Sequence, residues 1–311
     1  MDNSKAQKII DDLLNDPDLY KQKSEKESEV WGKAFSNEDR SKQIQIDQEA
    51  AKELHLNRDL LGLTNALHKH GITTEVGCSL ACGNGRAERD LLSKGICQRF
   101  HGVDIAEDAL NEARKLAEQQ QLNISYEQAD LNEIKLERQA YDLVVTQNCL
   151  HHILRLEYLA DEIAQSLKPD GVLWIHDYIG ETQFQYTDER LGIVNQILAI
   201  LPERMRFNQV NNRQIQQVVR REPGTLASPF ESIRSAEIMP IFLERFDIVE
   251  KIEFNSILHL VCPVGTRSAF LENEESRSIF ELLFLLDRLL VDRGIILPAA
   301  GQYLLKPKIS S

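Results

Sequence analysis

Short apolar runs alternate with helical stretches from residue 74 onwards, and this alternation constrains the fold more than any other feature. The runs typical of strands lie at 75–80, 99–103, 124–128, 141–146 and 172–178. The helical patterns between them lie at 86–93, 106–119 and 156–167. Strands and helices that alternate at this spacing form right-handed crossover units. The pattern therefore predicts an α/β fold with a mostly parallel sheet covered by helices.

Two features mark the end of this region. The sequence Lys-Pro-Asp-Gly at 168–171 is typical of a turn between the helix at 156–167 and the strand after it. Two more extended runs, 246–253 and 256–262, are separated by two residues, which predicts a hairpin. One strand of a hairpin in such a sheet runs antiparallel to the others.

The chain has 311 residues, which is more than the sheet requires. We expect a helical N-terminal cap at 1–73, a core domain at 74–262 and a helical tail at 263–311. Within the core, residues 180–245 form an insertion after the fifth strand, where open α/β sheets bind ligands. Trp31 and Phe35 interrupt the polar cap; they either pack on the core or close over a ligand.

Charge and composition exclude several classes of function. Lys and Arg number 36 against 49 Asp and Glu, a net charge of −13, so we expect no nucleic-acid partner and no anionic membrane surface. No uncharged apolar run reaches the length of a membrane span. The N-terminal residues are too charged for a signal peptide. The five cysteines fit neither a disulfide framework nor a zinc ribbon. We expect a cytoplasmic protein.

A glycine turn, Gly83 and Gly85, follows the first predicted strand and opens a helix. Such a turn brings backbone amides close to a ligand. Asp104 comes nineteen residues after Gly85, at the end of the second strand, where a carboxylate accepts hydrogen bonds from ribose hydroxyls. The third glycine of a dinucleotide motif is replaced by Glu88, which disfavours a nicotinamide-dependent oxidoreductase. A cofactor that has a ribose and no phosphates avoids this conflict.

Asp130 follows the third strand in the same way. Its carboxylate either accepts from an adenine amino group or caps a helix, and the sequence leaves both interpretations open.

Together these elements resemble the class I S-adenosylmethionine-dependent methyltransferases. Further matches are Tyr-Asp-Leu-Val-Val at 141–145, Asn-Cys-Leu-His-His at 148–152 and the turn before the fifth strand. The resemblance implies S-adenosylmethionine as cofactor and a seven-stranded sheet of order 3-2-1-4-5-7-6 with the last strand reversed. The residues that it assigns to cofactor binding are Ser79, Ala81, Cys82, Gly83, Gly85, Asp104, Ile105, Asp130, Leu131 and Asn148. Ser79 and Ala81 depart from the usual acidic residue and first glycine.

Methyl transfer needs a collinear donor and acceptor and often a base close to neutrality. His151, His152 and His176 follow the fourth strand or end the fifth, and they are the catalytic candidates; each could equally shape the pocket wall. A metal site made of these three histidines and Asp177 is disfavoured, because adjacent histidines rarely share an ion, and no metal is expected.

Three segments of the insertion carry a second resemblance: Gly-Glu-Thr-Gln-Phe-Gln-Tyr at 180–186, Leu-Pro-Glu-Arg at 201–204 and residues 228–238. They resemble methyltransferases found near glycan and secondary-metabolite gene clusters. A predicted helix at 230–244 places Glu231, Arg234 and Ser235 on one face. This face either contacts a hydroxylated or carboxylated acceptor or is solvated. With Tyr178 and Gln185, these residues are the predicted substrate contacts.

The expected function is methyl transfer to an oxygen of a small metabolite or sugar-like acceptor. The alternatives are N-methylation of a small molecule or peptide natural product, and a non-catalytic module that binds S-adenosylmethionine. Five arginines between 204 and 221 are the sole feature that favours a polyanion partner. A homodimer through the insertion or the C-terminal helix is a further hypothesis.

Overall fold

The computed structural model describes residues 4–34, 38–56 and 60–308. Its centre is a seven-stranded sheet in the order β3-β2-β1-β4-β5-β7-β6. The strands are β1 Val76–Leu80, β2 Arg99–Asp104, β3 Ile124–Gln128, β4 Tyr141–Gln147, β5 Leu167–Tyr178, β6 Phe246–Phe254 and β7 Ala300–Pro307. Strand β7 runs antiparallel to both β5 and β6, whereas β1 to β5 are parallel. The predicted fold class, strand order and reversed strand are therefore confirmed.

Helices surround this sheet and precede it. Four come before the first strand: α1 Ser4–Asn15, α2 Pro17–Ala34, α3 Glu38–Glu53 and α4 Leu60–Lys69. Those between or after the strands are α5 Arg86–Ser93, α6 Glu107–Gln119, α7 Leu156–Ser166, α8 Asp188–Ile200, α9 Ile238–Arg245, α10 Leu258–Val261 and α11 Glu274–Asp292. Phe35 lies outside the described residues.

The predicted hairpin at 246–262 is wrong. The second run is the short helix α10, and the reversed strand comes forty residues later, as β7. Asp287 of α11 explains the difference: its carboxylate accepts from the backbone amides of Asn255, Ile257 and Leu258 at 2.7–3.1 Å. These bonds satisfy the amides at the start of a helix. The segment 263–311, expected to be helical, therefore supplies a strand to the sheet. The domain boundaries themselves stay a prediction.

Two local predictions also need correction. Residues 168–171 are an irregularity inside β5, where the pairing with β4 jumps from Leu167 to Val172, and not a separate turn before the strand. The helix predicted at 230–244 begins at Ile238, because Ser232 has a φ of +56° and the chain turns there. Helix α8 of the insertion begins after Thr187, whose side chain caps it by accepting from the Arg190 amide.

Apolar side chains of the central strands are buried on both faces of the sheet, because successive residues of a strand point to opposite sides. Along β4, Val144 faces one side, where α7 and α9 pack; Leu143 and Val145 face the other, where α4 and α5 pack. A further apolar cluster joins the insertion to α10 and α11. The two N-terminal helices pack through Ile10 and Tyr20 on Phe230 of the insertion. The N-terminal helices and the insertion therefore meet each other beside the sheet. In the described part of the chain, no helix is both long enough and apolar enough to cross a bilayer.

Candidate active site

The turn after β1 is built from residues in the left-handed backbone region. Gly83 and Gly85 have φ of +56° and +76°, and Ala81 has +51°. The Gly83 amide donates to Asp104 Oδ2 at 2.7 Å, and the Ala106 amide donates to Oδ1 at 2.8 Å. Each carboxylate oxygen accepts one backbone bond and keeps a lone pair for a ligand hydroxyl. The β1 and β2 ends are thereby locked together around Asp104.

A cavity of about 260 Å³, which we call the central cavity, opens at this edge of the sheet. Eight of the ten residues predicted to bind the cofactor line it: Ala81, Cys82, Gly83, Asp104, Ile105, Asp130, Leu131 and Asn148. Asn148, at the end of β4, has a φ of +53°. The topology thus brings the ends of β1, β2 and β4 and the segment after β3 to one concave site.

Ser79 and Gly85 lie beside this lining and have packing roles. A Cβ atom on Gly85 would come within 2.2 Å of the Tyr126 hydroxyl, so the position requires glycine for space as well as for backbone conformation. Ser79 is buried in β1 next to the Glu88 side chain. That Ser79 and Gly85 bind cofactor stays a prediction.

Glu88 is fully buried in the first turn of α5 and is not among the residues that line the central cavity. Burial raises the pKa of its carboxyl to about 7, although its own backbone amide, Tyr126 and Ser79 partly offset the effect. The dinucleotide motif predicts this side chain beside a bound pyrophosphate, whereas the structure places it against Ser79 and Tyr126.

Asp130 accepts a full set of hydrogen bonds from the protein. The Tyr20 hydroxyl and Ser24 Oγ, both on α2, donate to its Oδ2 at 2.6 and 2.9 Å. The amide and the side chain of Asn132 donate to Oδ1 at 2.8 and 2.9 Å. A carboxylate accepts about four bonds. An adenine amino group could bind Asp130 after displacement of one of these donors, so that assignment stays a prediction.

Helix α2 lies against the mouth of the central cavity. Glu27 and Trp31 line it, and Ser28 donates to the Ile105 carbonyl at 3.1 Å. The Trp31 indole donates to Glu27 Oε1 at 2.7 Å, which fixes both side chains. Of the two sequence hypotheses for Trp31, packing on the core and closing over a ligand, its position in the wall fits the second.

His152 lines the central cavity and is held by Glu27. Its Nδ1 lies 3.0 Å from Glu27 Oε1, and the Trp31 ring meets the imidazole edge-on with centroids 5.2 Å apart. Burial pushes the pKa of Glu27 upward, but hydrogen bonds from His152, Trp31 and Ser228 outweigh it and hold that pKa below its ordinary value. Glu27 is therefore an ionised partner for the imidazole at neutral pH.

His151 is held in the same way by Asp177. Its Nδ1 donates to Asp177 Oδ1 at 2.5 Å, and the amides of Cys149 and Leu150 donate to the other oxygen at 2.8 Å. Asp177 is fully buried, which favours its protonated form, but the contact with His151 and these amides lower its pKa. Burial opposes charge on His151, yet Asp177 raises its pKa.

Glu231 completes this group. Its Oε1 lies 3.6 Å from His151 Nε2 and its Oε2 lies 3.8 Å from His152 Nε2. The two imidazole centroids are 4.2 Å apart. We call Glu27, His151, His152, Asp177 and Glu231 the histidine–carboxylate cluster. It joins residues from α2, the segment after β4, strand β5 and the insertion.

The third catalytic candidate lies apart from this cluster. His176 is on the opposite face of β5 from Asp177, and its ring centroid is 6.1 Å from that of Phe254. Tyr178 packs edge-on against His151, with centroids 6.3 Å apart. Of the predicted catalytic histidines, the structure therefore brings His151 and His152 together, and a catalytic role for His176 stays a prediction without support from its position.

The five predicted substrate contacts are not among the residues that line the central cavity, and three of them bind other groups of the chain. Gln185 donates to the carbonyls of Gln183 and Arg221 and lines a separate cavity of about 410 Å³. The Arg234 guanidinium binds Glu157 and Glu237. Ser235 is buried and donates to the Gly180 carbonyl at 3.0 Å. The polar helix face expected at 230–244 therefore does not exist, and Glu231 alone of its three polar members joins the cluster.

Sequence reasoning missed Glu27, Phe230 and the role of Asp177. Glu27 and Phe230 line the central cavity, although they are separated by about two hundred residues. The signal that could have found Glu27 is its spacing of four residues from Trp31, which puts both on one face of a helix.

Comparison with known proteins agrees with this geometry. A model of the family described as "Methyltransferase domain" matches residues 78–171, which span the glycine turn, Asp104, Asp130 and the two histidines. Residues 78–171 therefore form a methyltransferase domain, as the sequence resemblance predicts. The family and the cofactor implied by the sequence are thus confirmed.

Two curated relatives are O-methyltransferases by name. The ubiquinone biosynthesis O-methyltransferase of Coxiella burnetii is 30% identical over 95 residues, which cover 30% of this chain and 40% of that protein. The malonyl-[acyl-carrier protein] O-methyltransferase of Brevibacillus brevis is 29% identical over 136 residues, which cover 43% of this chain and 47% of that protein. The chain thus spans less than half the length of these relatives.

Among solved structures, the chain is similar to phosphoethanolamine N-methyltransferase 2 of Haemonchus contortus in complex with S-adenosyl-L-methionine. The identity is 16%, the TM-score is 0.45, and the match covers 79% of this chain and 52% of the other.

Proposed function

We propose that the whole chain catalyses methyl transfer from S-adenosylmethionine to an oxygen of a small metabolite or sugar-like acceptor. The observation that carries the proposal is the meeting of two groups at one cavity: the glycine turn with Asp104, and Glu27 and His152 of the histidine–carboxylate cluster. The curated relatives named as O-methyltransferases support oxygen as the acceptor atom.

The residues present suit the cofactor. Asp104 retains lone pairs for ribose hydroxyls, and the backbone at Ala81 to Gly83 lies open to the cavity. When bound, S-adenosylmethionine supplies a methyl group on a positively charged sulfur. Glu27 lines the same cavity, and its carboxylate favours a cation there.

The cluster would activate the acceptor. A hydroxyl that is methylated must lose its proton, and imidazoles oriented by carboxylates promote that loss. His152 lines the cavity and is held by Glu27, so it is the better placed of the two histidines. Trp31 and Phe230 close the wall around it with apolar surface, which limits the access of water.

Substrate cover by the insertion is part of the same proposal. Phe230 reaches the central cavity, and Ser228 donates to Glu27 at 2.8 Å. Glu231 lies next to both imidazoles. We assign acceptor contact to this short segment, 228–231, rather than to the more distant Gln185, Arg234 and Ser235.

The experiment is a methyl-transfer screen with labelled cofactor against alcohols, carboxylic acids and amines. We expect label in an alcohol or carboxylic acid. His152→Asn should slow transfer by roughly 100-fold or more with cofactor affinity unchanged. The matched control is His70→Asn, a surface histidine that contacts Glu250. Label confined to amines would show an N-methyltransferase, and cofactor binding without any transfer would show a non-catalytic module.

A homodimer through α11 and a cytoplasmic location complete the proposal. The observation that supports the dimer is a row of leucines on the outer face of α11, at positions 282, 285, 286 and 289, with 37–67% of each residue exposed. No nucleic-acid partner is proposed: Arg204, Arg206 and Arg220 of the arginine stretch all bind groups of this chain.

A further inference from the structure

We propose that His151, His152 and Glu231 form a binding site for a divalent transition-metal cation beside the central cavity, which His152 lines. The inference rests on the proposed methyl transfer and deepens it, because the acceptor would meet the cation there, and the bound cation, in place of a free His152 imidazole, would lower the pKa of the acceptor. The binding of the cation can nevertheless be measured without any turnover.

The distances between the two histidines and Glu231 fit three ligands of one ion better than direct hydrogen bonds. The gaps of 3.6 and 3.8 Å between the two Nε2 atoms and the Glu231 oxygens are too long for good hydrogen bonds. Two ligand atoms that are each about 2.1 Å from one tetrahedral ion lie about 3.4 Å apart. One donor atom from each of the three residues falls within 4.8 Å of the other two, so small side-chain movements would bring all three to a single ion.

The two imidazoles have the hydrogen-bond partners that are typical of metal-binding histidines. Metal-binding imidazoles commonly donate their second ring nitrogen to a carboxylate, which fixes the tautomer and the ring orientation. In this chain Asp177 holds Nδ1 of His151 and Glu27 lies at Nδ1 of His152. Both Nε2 atoms then carry the lone pair and point toward the same carboxylate.

The local charge also favours a cation. Three carboxylates surround two imidazoles, so acidic side chains outnumber basic ones in this cluster. All five side chains are mostly buried: Asp177 is inaccessible, the two histidines are 11% exposed, and Glu231 is 27% exposed. A divalent ion would neutralise most of the negative charge of these carboxylates, which burial keeps from being solvated by water.

The objection that adjacent histidines rarely share an ion does not hold for this backbone. Residues 150–152 form a single 3-10 turn, and the two rings lie 4.2 Å apart at 43°. His176 and Asp177 are not needed as ligands, because the insertion supplies Glu231. Two nitrogens and one carboxylate suit Zn²⁺, Mn²⁺ or Fe²⁺ better than Mg²⁺ or Ca²⁺, which prefer oxygen ligands.

Three protein ligands leave at least one coordination position for water or for an acceptor oxygen. His152 and Trp31 line the cavity, so an acceptor bound in it could reach that position. An oxygen bound to the cation would have a lowered pKa and a fixed orientation, which are the two properties that methylation of a hydroxyl needs.

The test is titration of the chelator-treated, full-length chain with Zn²⁺ by calorimetry. We expect one ion per chain, and we expect Glu231→Ala to weaken binding by more than about 100-fold. Glu27→Gln leaves all three ligands in place and should weaken binding by about 10–100-fold. The control Glu222→Gln changes an exposed carboxylate and should bind like the wild type. Circular dichroism establishes that each variant is folded.

Absence of stoichiometric Zn²⁺ binding in the wild type, or equal affinity in Glu231→Ala, would overturn the site. Full methyl-transfer activity after removal of metal would overturn its proposed role and leave the methyltransferase proposal intact. Metal binding that requires Glu231, in a chain that transfers no methyl group, would support the metal site and contradict the methyltransferase proposal.

Discussion

Ala81 has a φ of +51°, in the left-handed region that suits glycine. An L-residue with a Cβ atom is strained there by about 1–2 kcal/mol. Glycine loses more entropy on folding, so the net gain of Ala81→Gly should be about 0.5–1 kcal/mol in the free energy of unfolding. Chemical denaturation measures this. Ala87→Gly, in the regular helix α5, should instead lower the stability by a similar amount; equal losses in both variants would show that Ala81 is unstrained.

Glu88 makes stability depend on pH. Its pKa is raised by burial to about 7 in the folded chain, against 4.5 when exposed, so the native state keeps a proton that the unfolded state loses. The contribution of Glu88 to the free energy of unfolding is therefore fully present below about pH 4.5. It falls by roughly 3 kcal/mol as the pH rises to about 7.

Glu88→Gln removes this titration. We expect thermal denaturation to show a smaller loss of stability between pH 5 and 8 in the variant than in the wild type. Glu118→Gln, at an exposed position of α6, serves as the control. A wild-type slope in Glu88→Gln would contradict the assignment of this pH dependence to Glu88.

Residues in local motifs could be predicted from the sequence, whereas their distant partners could not. Asp104, Asp130 and the two histidines follow strands at set distances, and the parallel sheet brings strand ends together. Glu27 meets His152 from 125 positions away along the chain, and Asp177 meets His151 through the pairing of β4 and β5. Which carboxylate holds which imidazole depends on packing, and a single sequence does not contain that information.

At the scale of elements, helix α2 is held over the central cavity by polar contacts. Tyr20 and Ser24 bind Asp130, and Glu27 binds His152. Hydrogen bonds to a charged group contribute about 1.5–3 kcal/mol each.

Loss of the two hydroxyls in Tyr20→Phe with Ser24→Ala should therefore speed amide hydrogen exchange throughout α2. Phenylalanine preserves the stacking of residue 20 on Phe230. The exposed Lys26→Ala on the same helix is the control. Exchange that is equally slow in both variants would mean that α2 is held by its apolar face alone.

The residues that form strand β7 could not be predicted from the periodicity of the sequence. Residues 256–262 have the composition of a strand. However, the Asp287 carboxylate accepts hydrogen bonds from backbone amides at the start of this segment, and the segment forms helix α10 instead. The place beside β5 is filled by 300–307, a segment whose apolar residues pack on both faces of the sheet. The sheet order was predictable from the family resemblance, but the segment that forms the reversed strand was not, because a side chain of a later helix decides it.

At the scale of the whole molecule, the N-terminal helices, the sheet and the insertion each contribute residues to one site. The length beyond the sheet therefore serves the proposed methyl transfer: α2 supplies Glu27, and the insertion supplies Phe230 and Glu231. The net charge of −13 is consistent with a small acceptor rather than a polyanion.

The proposed homodimer can be tested by light scattering. The leucines on the outer face of α11 would bury apolar surface against a second copy. We expect a dimer in the wild type and a monomer in Leu285→Glu, with Ile46→Glu, which changes an exposed apolar residue of α3, as the control. A monomeric wild type, or a dimer that survives Leu285→Glu, contradicts this proposal.

Calorimetric binding of S-adenosylmethionine to the wild type and to Asp104→Ala tests the assignment of the cofactor site most directly. We expect one molecule bound per wild-type chain, no measurable binding of NAD, and loss of S-adenosylmethionine binding in Asp104→Ala. Asp170→Ala, an exposed carboxylate in β5, should bind as the wild type does. Unchanged affinity in a folded Asp104→Ala chain would contradict the placement of the ribose, and binding of NAD in place of S-adenosylmethionine would contradict the cofactor assignment itself.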